Sequence, residues 1–172
     1  MVTIRAEISS DNGPREALLN RGFGPARFRK TSEKLRKGRV AALAFTAVDA
    51  KGKLIGTVRL WNIIAGSAGS SLLLGPLAVD SKHQKSGIGR TLMEHAISAA
   101  RDFGHDSILL VGDAPYYSRF GFSESLTRSL HLPGPVDRTR FLALELTEQA
   151  LDDAEGLVAA SGEMIEALQV AA

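Results

Sequence analysis

Leu77-Ala78-Val79-Asp80-Ser81-Lys82-His83-Gln84-Lys85-Ser86-Gly87-Ile88-Gly89-Arg90 decides the reading of this chain. An apolar run ends at Val79, a polar connector follows, and two glycines open a segment with helical spacing. In that segment Ile88, Leu92, Ala96, Ala99 and Phe103 recur on one face, Met93, Ile97 and Ala100 widen the stripe, and Gly104 marks its end. The pattern predicts strand, tight turn, long amphipathic helix. Glycines at a helix start let the backbone approach a ligand closely. The first-turn amides lack intrahelical partners and the helix dipole adds positive potential, so an anion such as a phosphate is the natural occupant.

By itself that argument yields a phosphate site and no reaction. An ordinary helix entry also contains such glycines. A dinucleotide-binding turn needs a third glycine, and position 92 is Leu. A nucleotide P-loop needs Gly-Lys-Ser/Thr after a longer glycine loop, and none is present.

Upstream, Val2 to Ile8 alternates as a short strand, and Asp11-Asn12-Gly13-Pro14 is a turn. Residues 15–20 and 27–37 are predicted helical, and the second segment carries Arg27, Arg29, Lys30, Lys34, Arg36 and Lys37. A solvated helix face is the plainer reading of that basic run than a binding patch. Val40 to Val48 and Leu54 to Ile64 form an expected hairpin, and Leu72 to Val79 the next strand. Gly75-Pro76 predicts a bulge or unpaired edge within it. Downstream come a buried strand at Ser107 to Val111 and a brief helix from Pro115 to Phe120 closed by Gly121. Residues 123–132 and 139–147 are expected to pair across Pro133-Gly134-Pro135. Leu151, Ala154, Val158, Ile165 and Leu168 give the tail helical spacing, weakened by Gly156 and Gly162. Docking on the core, pairing with another subunit and fraying are all open to that tail, so a homodimer is one of the states considered.

The 172 residues suit one domain with a sizeable core. Hydrophobic residues at 44% and charged residues at 23% are ordinary for a soluble globular protein. A net charge of +2 makes no strong field, so no nucleic-acid partner is inferred. The absence of cysteine removes disulfides, thiolate zinc sites and a cysteine nucleophile, and fits a reducing compartment. The residues from Met1 to Glu7 lack a signal-peptide pattern, and no run reaches the roughly 18 apolar residues of a membrane span. The cytoplasm is the default location. His83, His95, His105 and His131 show no metal spacing, and no metal is expected.

Gln84-Lys85-Ser86-Gly87-Ile88-Gly89 resembles the pyrophosphate-binding motif of GNAT acetyltransferases, Gln/Arg-x-x-Gly-x-Gly/Ala. Leu77-Ala78-Val79-Asp80 resembles the end of that family's fourth strand, and Tyr116-Tyr117-Ser118-Arg119-Phe120-Gly121-Phe122 its later Tyr-x-x-x-Gly-Phe segment. The resemblance is nearest to a group of small bacterial predicted N-acetyltransferases and covers residues 2–147. It implies an α/β (α+β) domain over 1–147. Its sheet would be mixed but mostly antiparallel, of about six or seven strands, with a splayed central pair and about four flanking helices. Residues 148–172 would add a C-terminal helical tail.

The resemblance implies acetyl-CoA as co-substrate and a primary amine as acceptor. Backbone amides of Lys85, Ser86, Gly87, Ile88, Gly89 and Arg90 would hold the pyrophosphate, Gln84 would shape the turn, and Leu77, Ala78 and Val79 would lend backbone groups to the pantetheine arm. The splay after Pro76 would make the slot for that arm. Direct attack of the amine on the thioester follows from the lack of cysteine, with a strand N–H at or near Val79 as oxyanion donor. Tyr117, four residues before Gly121, stands where such families place their general acid, with Tyr116 as second choice. Many relatives carry Glu on the fourth strand. Here that stretch is Leu74-Gly75-Pro76, which leaves the base unassigned. Asp113 reads better as a cap before Pro115 and His83 as an exposed connector. Trp61 is open to substrate stacking or to a core role. A non-catalytic acyl-CoA-binding module is the alternative function, and a nucleic-acid binder a distant third.

Overall fold

The apolar stripe that begins at Ile88 becomes the buried side of helix α2 (Ile88–Asp102). Ile88, Leu92, Met93, Ala96 and Ala100 are buried against the sheet, whereas Phe103, just past the helix end, is 70% exposed. Each fully buried Leu or Met contributes about 1.5–3 kcal/mol, so Leu92 and Met93 anchor this layer. Leu92→Ala would cost about 2–5 kcal/mol through the lost area and the cavity left behind.

The computed structural model describes residues 1–165. The strands are β1 (Thr3–Ala6), β2 (Leu43–Val48), β3 (Leu54–Ala65), β4 (Ser70–Val79), β5 (Ser107–Val111), β6 (Leu130–His131), β7 (Phe141–Glu145) and β8 (Gly156–Ala160). The main path runs β1-β2-β3-β4-β5-β7, with only the β4–β5 step parallel along it. Helix α1 (Asn12–Phe23) packs on the face opposite α2, burying Leu18 and Leu19 with Leu54 and Ala78. The period-2 alternation of the central strands feeds both layers. Leu60, Leu72 and Leu74 join the α2 side, and Trp61, Leu73 and Leu109 the other.

A buried ion network also ties the first elements together. Glu7, just after β1, accepts from Arg15 of α1 and from Arg59 of β3 (Nε to Oε2 3.0 Å). Asp11 is 5% exposed and takes two hydrogen bonds from Arg5, at 2.7 and 2.9 Å. These bonds hold its carboxyl below the ordinary carboxylate range.

Three expectations are corrected. The basic segment 27–37 is not an α-helix but two 3-10 segments, Pro25–Arg29 and Thr31–Leu35, separated by an extended Lys30. Only Leu35 of these segments is buried, so no apolar stripe exists to stabilise a longer helix. Residues 123–132 and 139–147 do not pair as a long hairpin. Strand β7 pairs with β5, β6 pairs with β8, and a single bridge joins Ser123 to Ala143. The Arg138 guanidinium takes the carbonyls of Thr127, Arg128 and Leu130, which a hairpin would have used.

The tail is the third correction. Over Gly156–Ala160 the expected helix is strand β8, antiparallel to Ile63–Ala65 of β3 and parallel to β6. Strand β3 outruns β2, whose pairing begins at Leu43 opposite Leu60, and β8 covers the edge that is left. Val158 is fully buried there. Residues 151–155 form a turn and a short irregular link in place of the expected helix, and residues 166–172, Leu168 included, lie outside the described residues. The described residues contain three α-helices, the third (α3, Ala114–Tyr117) a single turn.

Candidate active site

The expected bulge lies at Gly75-Pro76, whose peptide bond is cis. Val58 faces Leu77 and Leu60 faces Leu74, so two residues of β4 oppose Arg59 alone. On the other edge of β4, pairing with β5 is confined to Leu72 and Leu73. Beyond them the parallel strands part. Trp61 holds the bulge from beneath: its indole N–H donates to the Gly75 carbonyl at 2.6 Å in a buried bond. Trp61 is 6% exposed, so its role is in the core and not as a substrate platform.

Past the bulge, the Asp80 N–H donates to Ile55 at 2.8 Å. Antiparallel alternation from that bond points the Leu77 and Val79 backbone groups away from β3, into the gap left by β5. Ala78 turns its backbone toward Thr57 and its side chain toward α1, so it supplies no free backbone group there. Gln84 Nε2 reaches the Val79 carbonyl at 3.3 Å, tying the turn back to the strand.

The turn itself is open. Residues 84–87 are exposed, Lys85 has φ 65°, and Gly87 has φ 87°, a region that disfavours any side chain. Among the described residues no backbone hydrogen bond uses the N–H groups from Lys85 to Arg90. Thr91 is the first to find an acceptor, Gly87 O at 3.0 Å. Asp80 caps the preceding 3-10 turn by accepting from Lys82 N at 2.9 Å, a bond that holds its carboxyl below the usual range. Ser86 Oγ donates to the His83 carbonyl. His83 lines a depression with Ser86, Gly87 and Ile88, and its Nδ1 is buried without a hydrogen-bond partner.

Both tyrosines of α3 reach the gap. Asp113 accepts from Tyr116 N at 3.2 Å and thereby caps α3, as its sequence position implies. Tyr117 packs edge-on to Tyr116 (centroids 4.9 Å) and to Phe122 (6.1 Å), with its ring over Gly112. Burial, reinforced by Tyr116 and Asp113, pushes its hydroxyl pKa up to about 12 against the pull of Arg140. The phenol therefore stays a proton donor at neutral pH. Tyr116 points its hydroxyl at the start of α2, 3.1 Å from where a Cβ on Gly89 would stand. The tyrosines, Leu77, the bulge and Asp113 share one cavity of about 650 Å³ with the 3-10 segments.

Three comparisons with known proteins bear on this arrangement. The acetyltransferase (GNAT) domain family matches residues 41–124. The uncharacterized N-acetyltransferase YhbS of Escherichia coli strain K12 is 31% identical over 156 residues, which span 90% of this chain and 93% of that protein. The chain belongs to the GNAT acetyltransferase family. A crystal structure of the Escherichia coli GNAT protein YhbS in complex with CoA superposes with a TM-score of 0.80 at 30% identity, covering 93% of this chain and 89% of that one. A Brucella melitensis GNAT acetyltransferase in complex with acetyl-CoA gives 0.69 at 24% identity over 94% and 96% of the two chains, a likeness of fold.

Within this GNAT fold the sequence-selected residues fall into two connected groups. Ser86, Gly87 and Ile88 flank the turn, whereas Leu77 and Tyr117 face the cavity. Val79 and Tyr116, both against Gly89, join them. Sequence reasoning passed over Arg36, Lys30 and Arg140, which line the same cavity, and the clamp of Trp61 on Gly75. The basic run over 27–37 was the available signal for two of these, but it reads as an ordinary solvated helix until the bulge is placed beside it. Among the described residues no group of His, Asp and Glu is arranged to hold a metal ion, and no helix is long and apolar enough to cross a membrane.

Proposed function

We propose that this GNAT protein transfers the acetyl group of acetyl-CoA directly to a primary amine while both are bound. The observation that carries the reading is the run of uncommitted N–H groups from Lys85 to Arg90, leading α2 beside a strand parted from its neighbour. Those donors suit a pyrophosphate, and the CoA-bound relative from Escherichia coli agrees with that ligand. When bound, acetyl-CoA supplies the activated thioester. Leu77 and Val79 direct backbone groups toward the arm, and Gln84 keeps the turn registered on the strand.

The protein's contribution is first proximity, since two reactants held together react as one molecule. The Leu77 N–H shares the cavity with Tyr117 and is the best-placed donor to the developing oxyanion, whereas Val79 lies nearer the phosphate turn. Tyr117 donates a proton to the departing thiolate. The two carboxylates of the cavity each spend one oxygen on their own turn. Asp113 caps α3, and Asp137 is held by Thr139 N at 3.0 Å and Thr139 Oγ1 at 2.7 Å. The acceptor amine binds neutral or passes its proton to solvent.

Calorimetry with CoA, paired with thiol release from acetyl-CoA over an amine panel, tests the proposal. Wild-type protein should bind CoA and turn over at least one amine. Gly87→Ala places a side chain at positive φ at a cost of about 1–2 kcal/mol and should weaken CoA binding about tenfold. Binding without transfer to any amine would favour a non-catalytic acyl-CoA-binding module.

A further inference from the structure

The cavity beside Tyr117 is electrostatically lopsided. Five cationic side chains line it, Arg27, Arg29, Lys30, Arg36 and Arg140, against the two carboxylates of Asp113 and Asp137. Each carboxylate spends one oxygen on a backbone N–H of its own turn, and the cations outnumber the pair. Arg27 is paired with Glu16 at 2.6 Å and Arg36 with Glu33 at 2.9 Å. Among the described residues Lys30 and Arg140 have no carboxylate within 4.0 Å. Both stand at the exposed mouth, with Lys30 Nζ over the Phe23 ring at 4.7 Å.

The position of this charge matters more than its amount. Arg36 Nη1 is 3.8 Å from where a Cβ on Gly75 would stand, so one cation abuts the bulge itself. Arg140 is close enough to Tyr117 to oppose the rise in its pKa. Lys30 is lowered by desolvation and by the charges of Arg36 and Arg140. These three cations therefore converge on the reacting end of the slot, where they repel one another. The phosphates of CoA belong at the other end, on the α2 turn, which has its own amide donors. The pantetheine arm separates the two ends.

We infer that the acceptor is a small primary amine carrying an anionic group, a carboxylate or a phosphate, which Lys30, Arg36 and Arg140 hold while the amine faces the thioester. The inference rests on the acetyltransferase reading above. A volume of about 650 Å³ accommodates the acyl end of the arm and a small molecule. Guanidinium and ammonium groups gathered at one mouth reward a carboxylate or phosphate and disfavour polycations such as polyamines. In the reaction the amine nitrogen bonds to the acetyl carbon, the carbon–sulfur bond breaks, the amine proton goes to solvent, and the thiolate takes a proton from Tyr117. Solvent then reprotonates the phenol.

The test is thiol release by the full chain at saturating acetyl-CoA, with matched acceptors. Free amino acids are compared with their amides, phosphoethanolamine with ethanolamine, and spermidine is run alongside. The anionic member of at least one pair should have a kcat/KM at least about tenfold above its neutral partner, and the responding pair tells carboxylate from phosphate. Lys30→Ala and Arg140→Ala should each raise the KM of that acceptor about tenfold while leaving the KM of acetyl-CoA within about twofold. Equal rates for charged and neutral partners, preference for spermidine, or no turnover of any anionic amine by protein that binds CoA would overturn the inference. So would variants that raise the KM of acetyl-CoA instead, since the cluster would then serve the cofactor. Loss of CoA binding in the wild type would strike the acetyltransferase reading itself.

Discussion

Gly112→Ala moves the proposed acid without removing it. A Cβ on Gly112 would stand 2.9 Å from Tyr117 Cδ2 and closer still to Cε2, against the 3.4 Å at which ordinary contact begins. The ring edge must therefore retreat by about 1 Å, because packed interiors leave little slack. Phe122 and Tyr116 flank the ring edge-on, so the retreat swings the hydroxyl along the cavity wall. A displacement of that size at a reacting group costs about 100-fold in rate. With the best acceptor from an amine panel, kcat should fall by about that factor and the KM of acetyl-CoA should change little. Tyr117→Phe should lose a comparable amount, and the double variant should be no worse than Tyr117→Phe alone, since both act on one proton transfer. An unchanged kcat in Gly112→Ala, or full additivity with Tyr117→Phe, would refute the assignment of Tyr117.

Two further outcomes follow from the same geometry. Trp61→Phe leaves the buried Gly75 carbonyl without its donor, so stability should fall by about 1–3 kcal/mol in chemical denaturation, with kcat reduced as the bulge loosens. A variant as stable and active as wild type would show that the indole does not position the bulge. Because the amine reacts in its neutral form, kcat/KM should climb with pH until the acceptor is deprotonated. Tyr117 should add no falling limb of its own until well above pH 10, because burial keeps its phenol protonated with a pKa of about 12, and any earlier fall for an anionic acceptor belongs to Lys30, which desolvation lowers. A bell with an alkaline limb near neutrality would remove Tyr117 as the acid.

The parts of this fold that could be read in advance are those in which local pattern and tertiary role coincide. The Ile88 to Ala100 stripe, the hairpin of Val40 to Val48 with Leu54 to Ile64, and the Gly75-Pro76 bulge each signal through local residue type and spacing. The tail misleads because Ala154 and Val158, four residues apart and both buried, fit either period, and only the overhang of β3 selects a strand. The long final hairpin fails because Arg138 claims three carbonyls of its expected first strand, from 8 to 11 residues further along the chain. The phosphate turn and both tyrosines are visible as short motifs. The cationic cluster joins Lys30 and Arg36 to Arg140, a residue more than a hundred positions away. Sequence spacing carries no trace of that meeting, nor of the indole bond that holds the bulge.

Amide NMR of the full chain titrated with CoA interrogates the pivotal contact at atomic resolution. The N–H signals of Lys85 through Arg90 should shift together and saturate with the calorimetric affinity, with smaller changes at Leu77 and Val79. CoA binding that leaves those six amides unmoved would contradict the account.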